Sequence, residues 1–131
     1  MGHRRILIDT SVIIDFLRKK NKQNSFLWKL KENNCRCFIS IITVFELHVG
    51  AKTEQHKQDL LNLLKYFEII SFTYEIALLS ANIYKKLKSE NKLINFNDIF
   101  IGATAISINL PLTTLNEKHF NRLGVKIYKL T

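Results

Sequence analysis

The sequence contains one proline, four glycines and one tryptophan in 131 residues. With Pro111 the only proline and glycine this scarce, there is no flexible linker, low-complexity tract or internal repeat. The chain therefore reads as one domain over residues 1–131, long enough for a single core. Its two cysteines, Cys35 and Cys37, exclude a disulfide framework. Separated by one residue on a strand, they would share a face and bond only under strain. C-x-C also lacks the further ligands of a zinc site, so both read as ordinary strand residues. No apolar run approaches the roughly 18 residues that span a bilayer. The opening Met1-Gly2-His3-Arg4-Arg5 has neither the apolar stretch nor the cleavage site of a secretory leader. The expectation is a soluble, cytoplasmic protein without a membrane partner.

Acid is scarce as well: 11 acidic residues stand against 20 basic ones, for a formal charge of +9. The basic excess gathers at Arg18, Lys19, Lys20, Lys22, Lys29, Lys31 and Arg36, and again at Lys85, Lys86, Lys88 and Lys92. Such clusters attract a polyanion, nucleic acid or an acidic protein segment, or form a solvated lysine-rich face; charge alone leaves these readings open. Apolar content of 47% is that of a globular chain, which argues against disorder.

Hydrophobic periodicity orders the chain into alternating strands and helices. A buried strand from Arg5 to Asp9 leads into a helix capped by Thr10 or Ser11 and running to about Lys19. A helix over Ser25–Asn34, a strand over Cys35–Ile39 and an apolar helix from Ser40 or Thr43 to Val49 follow, stopped by Gly50. Next come a helix over Glu54–Tyr66, a strand over Phe67–Phe72 and a long helix over Tyr74–Asn91. Asn97 caps a helix over Asp98–Asn109. Strands at Leu112–Leu115 and Val125–Leu130 flank a short helix around Glu117–Leu123. Buried apolar strands alternating with helices predict an α/β three-layer sandwich, a central parallel sheet flanked by helices. The polar site of such a fold lies at the carboxyl ends of its strands, where Asp9 and Asn116 fall.

So few acids can be taken one by one. Glu32, Glu54 and Glu90 have lysines at helical spacing, Asp15 has Arg18 and Lys19, and Asp59, Glu68 and Glu75 sit among polar residues. Asp9, Glu46 and Asp98 differ. Asp9 ends the run Ile6-Leu7-Ile8, Glu46 lies in Ile41-Ile42-Thr43-Val44-Phe45-Glu46-Leu47, and Asp98 opens Asp98-Ile99-Phe100-Ile101-Gly102-Ala103; neither Glu46 nor Asp98 has a basic residue at helical spacing, and Asp9 closes a strand that should be interior. A carboxylate in such surroundings needs a partner, and three without local cations suit an external divalent cation, Mg²⁺ or Mn²⁺, which takes oxygen ligands. Each also has an ordinary explanation. Asp98 can complement a helix dipole, Asp9 can accept backbone hydrogen bonds, and Glu46 can pair with a distant arginine.

The motifs resemble a known family. Leu7-Ile8-Asp9-Thr10-Ser11-Val12 with Asp15 is similar to the opening of PIN-domain nucleases. Ser40-Ile41-Ile42-Thr43-Val44-Phe45-Glu46-Leu47 with Gly50 is similar to their second motif, and Asn97 to Ala105 to their third. Leu112-Thr113-Thr114-Leu115-Asn116 with Phe120 resembles the fourth. The likeness covers nearly the whole chain, and within the family it is strongest to VapC-like toxins of type II toxin–antitoxin modules. The resemblance implies a metal-dependent ribonuclease with Asp9, Glu46 and Asp98 as catalytic and metal-holding acids, supported by Ser11 and Asn116. It implies an RNA substrate, a cognate antitoxin that inserts a basic residue among the carboxylates, and a homodimer. Three positions after the asparagine, where such proteins often carry a further acid, stands His119, which favours one metal ion over two; Glu117 could substitute. An alternative is a PIN-fold module that binds RNA or protein without cleaving. A receiver domain lacks its acidic pair and lysine here, and a haloacid-dehalogenase-type phosphatase would need an acid where Ser11 stands.

Overall fold

The computed structural model describes residues 4–130; the leader question at Met1 to His3 lies outside them. Strand β1 (Arg4–Ile8) is followed by α1 (Thr10–Arg18), a 3-10 turn at Lys22–Asn24, α2 (Phe26–Glu32), β2 (Cys35–Ser40), α3 (Ile41–Gly50) and α4 (Glu54–Leu64). After β3 (Glu68–Ile70) come α5 (Tyr74–Ser89), α6 (Phe96–Ser107), β4 (Leu112–Thr113) and α7 (Glu117–Asn121). The four strands form one parallel sheet in the order β3-β2-β1-β4, with Ile6 beside Cys37, Leu7 beside Phe38 and Leu112, and Ile8 beside Thr113.

The strand alternation divides the core. Ile6 and Ile8 with Cys35, Cys37 and Ile39 face α1, α2, α3 and α4, meeting Ile13, Leu30, Leu47 and Leu60. Leu7 and Phe38 face the other way, onto Ile101 and Ala105 of α6 and Phe120 of α7, with α5 packed outside α6. Helices thus cover both sheet faces, which is the three-layer arrangement expected from the apolar strands. Both cysteines are free and buried, and burial pushes the Cys37 thiol up to about 11, so it stays protonated as packing material.

Most helix starts are capped by hydroxyl or amide side chains. Ser25, Ser40, Thr53 and Thr73 accept from backbone amides at α2, α3, α4 and α5. Glycine is scarce, so asparagine serves at the helix ends. Asn34, Asn91 and Asn109 follow α2, α5 and α6 with φ of 60°, 57° and 56°, the left-handed conformation that asparagine tolerates best after glycine.

Several sequence expectations are corrected. Asn95, not Asn97, caps α6, its side chain accepting from the Asn97 amide. Neither Thr10 nor Ser11 caps α1, because their hydroxyls turn to other side chains. The last segment is not a full strand: only Ile127 bridges Leu112, whose amide donates to Lys126 and whose carbonyl accepts from Tyr128, both at 2.8 Å. Finally, α3 buries only Thr43 and Leu47 completely and leaves Ile41, Phe45 and Val49 exposed.

Gly102 brings α6 and α7 together. A Cβ there would lie 2.3 Å from Leu123 Cδ1, so any larger residue would make the end of that side chain turn away. Phe120, fully buried against α6, is the anchor of α7. Phe120→Ala is expected to cost about 3–5 kcal/mol of unfolding free energy in urea denaturation. A loss under about 1 kcal/mol would mean that α7 is not held by this side chain.

Candidate active site

Asp9 follows β1, the strand flanked by β2 and β4, and inherits its burial, with 3% of its surface exposed. Its Oδ2 accepts the Ser11 hydroxyl at 2.7 Å and the Thr114 hydroxyl at 2.8 Å. Those hydroxyls in turn accept the amides of Leu115, at 3.0 Å from Ser11 Oγ, and Asn116, at 2.9 Å from Thr114 Oγ1. The end of β1 is thereby tied to the turn after β4. Burial raises the Asp9 pKa above the usual aspartate value, the two hydroxyls pull it back, and the nearby Asp98 carboxylate raises it again.

Glu46 projects from the middle of α3. Its Oε1 accepts the Thr10 hydroxyl at 2.7 Å, and its Oε2 accepts the Asn97 side-chain amide at 3.2 Å. Thr10 Oγ1 also lies 2.9 Å from the buried Thr43 hydroxyl. Thr10 is the neighbour of Asp9 and Asn97 the neighbour of Asp98, so Glu46 is joined to both carboxylate-bearing segments through neutral donors. Among the described residues it has no ion pair, and the distant arginine considered from the sequence is not there.

Asp98, in the first turn of α6, faces His119 of α7, with Nδ1 at 3.1 Å from its Oδ2. His119 is thus the one basic side chain paired with any of the three acids among the described residues. Asn116 is exposed beside this pair, its carbonyl accepting the His119 amide at 3.2 Å. Asp15 stands apart: its Oδ2 accepts the Phe26 amide at 3.1 Å, anchoring α2, and Lys19 lies 3.5 Å from its other oxygen.

The structure therefore brings Asp9 and Asp98 into electrostatic contact and links Glu46 to their neighbours. It does not gather three ligating groups around one point: among the described residues, no set of three His, Cys, Asp or Glu side chains is placed to hold a metal. The donors nonetheless suit a hard divalent cation. Two mutually repelling carboxylates, one of them buried, present oxygen ligands and carry excess negative charge that Ser11 and Thr114 only partly offset. Sequence reasoning missed Thr10, Asn97 and Thr114 as partners of the acids. The only signal was that each polar residue sits at or beside an acidic motif.

Two concavities adjoin these residues. A groove of about 340 Å³ lies between α1, α3 and α4, with Ile14, Leu17, Leu47 and Leu60 on its walls and Glu46 and Arg18 at its edge. A trough of about 640 Å³ lies beside Asn116 and His119.

The sequence model of the PIN domain matches residues 6–126. Ribonuclease VapC1 of Methanocaldococcus jannaschii is 42% identical over 129 residues, covering 95% of this chain and 87% of that protein. Ribonuclease VapC of Rickettsia bellii is 32% identical, covering 90% of each. Among solved structures, DNA-bound VapBC from Salmonella typhimurium superposes with a TM-score of 0.85 at 25% identity, over 95% of this chain and 97% of that one. VapBC-1 from nontypeable Haemophilus influenzae gives 0.82 at 26% identity, over the same shares. With the acids and their sheet positions in place, these matches show that the chain belongs to the PIN domain family, among its VapC-like ribonucleases.

Proposed function

We propose that the chain is the toxin of a VapBC-type module and cleaves RNA by metal-assisted hydrolysis at Asp9, Glu46 and Asp98. The observation that carries this reading is the buried carboxylate of Asp9, repelled by that of Asp98, with no lysine or arginine paired to either among the described residues. Asp9 and Asp98 would hold one Mg²⁺ or Mn²⁺. When bound, such an ion polarises a phosphate oxygen and makes water acidic enough to attack phosphorus. The chain's own residues supply the rest. Ser11 and Thr114 orient Asp9. Glu46, held in place by Thr10 and Asn97, accepts the proton of the attacking water. Asn116, exposed at the lip, donates to a phosphate oxygen. Because His119 occupies one oxygen of Asp98, a single ion fits better than two.

This mechanism makes Asp98→Asn lose on the order of 100-fold or more in cleavage of RNA with Mn²⁺, since even indirect partners of a metal matter by 10–100-fold. Unchanged cleavage, or full activity in excess chelator, would overturn it. A second reading, a PIN fold that binds RNA without cutting it, draws on the His119 contact already made by Asp98. It predicts no Mn²⁺-dependent products from the pure wild-type protein.

The raised pKa of Asp9 adds a stability test with a definite sign. The folded value lies above the unfolded one, so ionising Asp9 costs nothing at pH below the ordinary carboxylate range. The cost grows as pH rises through the raised value and stays at neutral pH. Asp9→Asn should therefore stabilise the metal-free protein at pH 7, with the gain vanishing below about pH 4, the ordinary carboxylate value. Melting in chelator and in Mn²⁺ checks this: Mn²⁺ should raise the midpoint of the wild type and not of the variant.

The partner follows from the same charges. We assign the antitoxin contact to the groove between α1, α3 and α4, where an apolar segment can pack on Leu17, Leu47 and Leu60 and direct a basic residue at Glu46. A second copy of the chain would cover the stripe Ile41, Phe45 and Val49 on α3, where Phe45 is 62% exposed. Phe45→Glu is expected to convert a dimer to a monomer in sedimentation; an unchanged mass would place any dimer contact elsewhere.

A further inference from the structure

The trough beside His119 shares Thr114, Asn116 and His119 with the acidic site, and the rest of its lining plays no part in the mechanism so far. Phe26, Leu115, Tyr128 and Leu130 give it an apolar, partly aromatic lining, while Lys118 and Lys129 stand on it as cations. Glu117 is its one acid, and Lys129 lies 3.6 Å from that carboxylate, which neutralises it. Lys118 is exposed and has no ion pair among the described residues. Leu115 keeps 51% of its surface in solvent although its backbone is fixed by the Ser11 hydroxyl. The trough is also continuous with the acidic site. His119 touches Asp98 through Nδ1 and lines the trough as well, next to Asn116 and Thr114.

An apolar and aromatic floor with an unpaired lysine above it is what a nucleotide of a single-stranded polyanion needs: a face for the base and a charge for its phosphate. At about 640 Å³ the trough lies within the roughly 300–1,000 Å³ typical of small-ligand pockets. We propose that it is a subsite for the RNA nucleotide adjoining the cleaved bond, with the base on Leu115, Phe26 and Tyr128 and its phosphate at Lys118. The assignment rests on the ribonuclease reading and makes this side of Asp98, rather than the α1/α3/α4 groove, the path of the substrate strand. The phosphate held at Lys118 then leads directly to the cation position at Asp9 and Asp98. The net charge of +9 makes an RNA strand a better occupant than an acid-poor protein segment.

The test uses the full chain and two exposed positions, so that folding is spared. Binding of a short fluorescein-labelled polyuridine strand is followed by anisotropy in chelator, where no cleavage occurs. Leu115→Ser should weaken binding about fivefold or more, the lower end of one lost base contact. Lys118→Glu should weaken it and lower the slope of log affinity against log salt by about 1. Lys85→Glu on α5, which does not line the trough, should change affinity less than about twofold. In Mn²⁺, both trough variants should raise KM and leave kcat within about twofold, as loss of uniform binding does. Wild-type affinity in both trough variants, or an equal loss in Lys85→Glu, overturns the subsite. So would trough variants that bind RNA normally but no longer copurify with a partner protein. Failure of the wild type to cleave in Mn²⁺ with these binding differences intact would instead sink the ribonuclease reading and leave the subsite standing.

Discussion

The structure turns on one unfavourable placement, a carboxylate at the end of a strand buried on both faces. β1 lies between β2 and β4 with helices above and below, and its core residues Ile6, Leu7 and Ile8 are fully enclosed. The next residue along cannot reach water freely, and that residue is Asp9. A desolvated carboxylate costs several kcal/mol unless something compensates it. Much of the surrounding chemistry serves this end. Ser11 and Thr114 spend their hydroxyl hydrogens on one oxygen of Asp9, and those hydroxyls are held by the amides of Leu115 and Asn116.

The compensation uses neutral donors where cations would serve better for stability alone. A lysine or arginine beside Asp9 would hold the carboxylate ionised, but it would also take the place of a metal. Thr10 and Asn97 treat Glu46 in the same manner, fixing both of its oxygens without cancelling its charge. The parallel sheet makes this possible. The carboxyl ends of β1, β2 and β4 lie together, so Thr10, Ser40 and Thr114 follow or close strands on the same edge, and α3 and α6 deliver Glu46 and Asp98 to it. The cations of a chain with charge +9 are displaced to the rim and the outer faces.

Much of this was readable from the sequence because two signals are local. Strand burial shows as Ile6-Leu7-Ile8 and singles out Asp9 at its end, and the lack of basic residues at helical spacing isolates Glu46 and Asp98. The rest depends on contacts across the chain. Thr114 lies 105 positions from Asp9, and Asn97 lies 51 positions from Glu46, so neither bond leaves a trace in local spacing. Asn97 looked like a cap because a capping asparagine and a ligand-holding one are the same residue type; Asn95, two positions earlier, does the capping. Likewise Val125–Leu130 has the composition of a strand, yet only Ile127 finds a bridge because β4 is two residues long. That apolar α3 leaves Ile41, Phe45 and Val49 exposed was not legible either, because periodicity reports only that a face avoids water, not whether this chain or another covers it.

The balance of charge also orders the binding events. Without a cation, Asp9 lies near enough to Asp98 for the two to repel, and Glu46 is joined to their neighbours. Only His119 is paired with any of the three among the described residues, so an approaching RNA phosphate would meet repulsion. Basic and apolar groups outside that centre can still hold the strand, since Lys118 and the trough lie beyond His119. Recognition and chemistry are therefore separable here: the strand can be held at the rim by its bases and neighbouring phosphates while the reacting phosphate stays out. On the proposed mechanism, a divalent ion held by Asp9 and Asp98 would cancel their two charges and remove that repulsion. A basic side chain from a protein partner would offset part of the same charge yet bring no Lewis acid, so on that reading one desolvated aspartate would serve both the proposed activity and its inhibition.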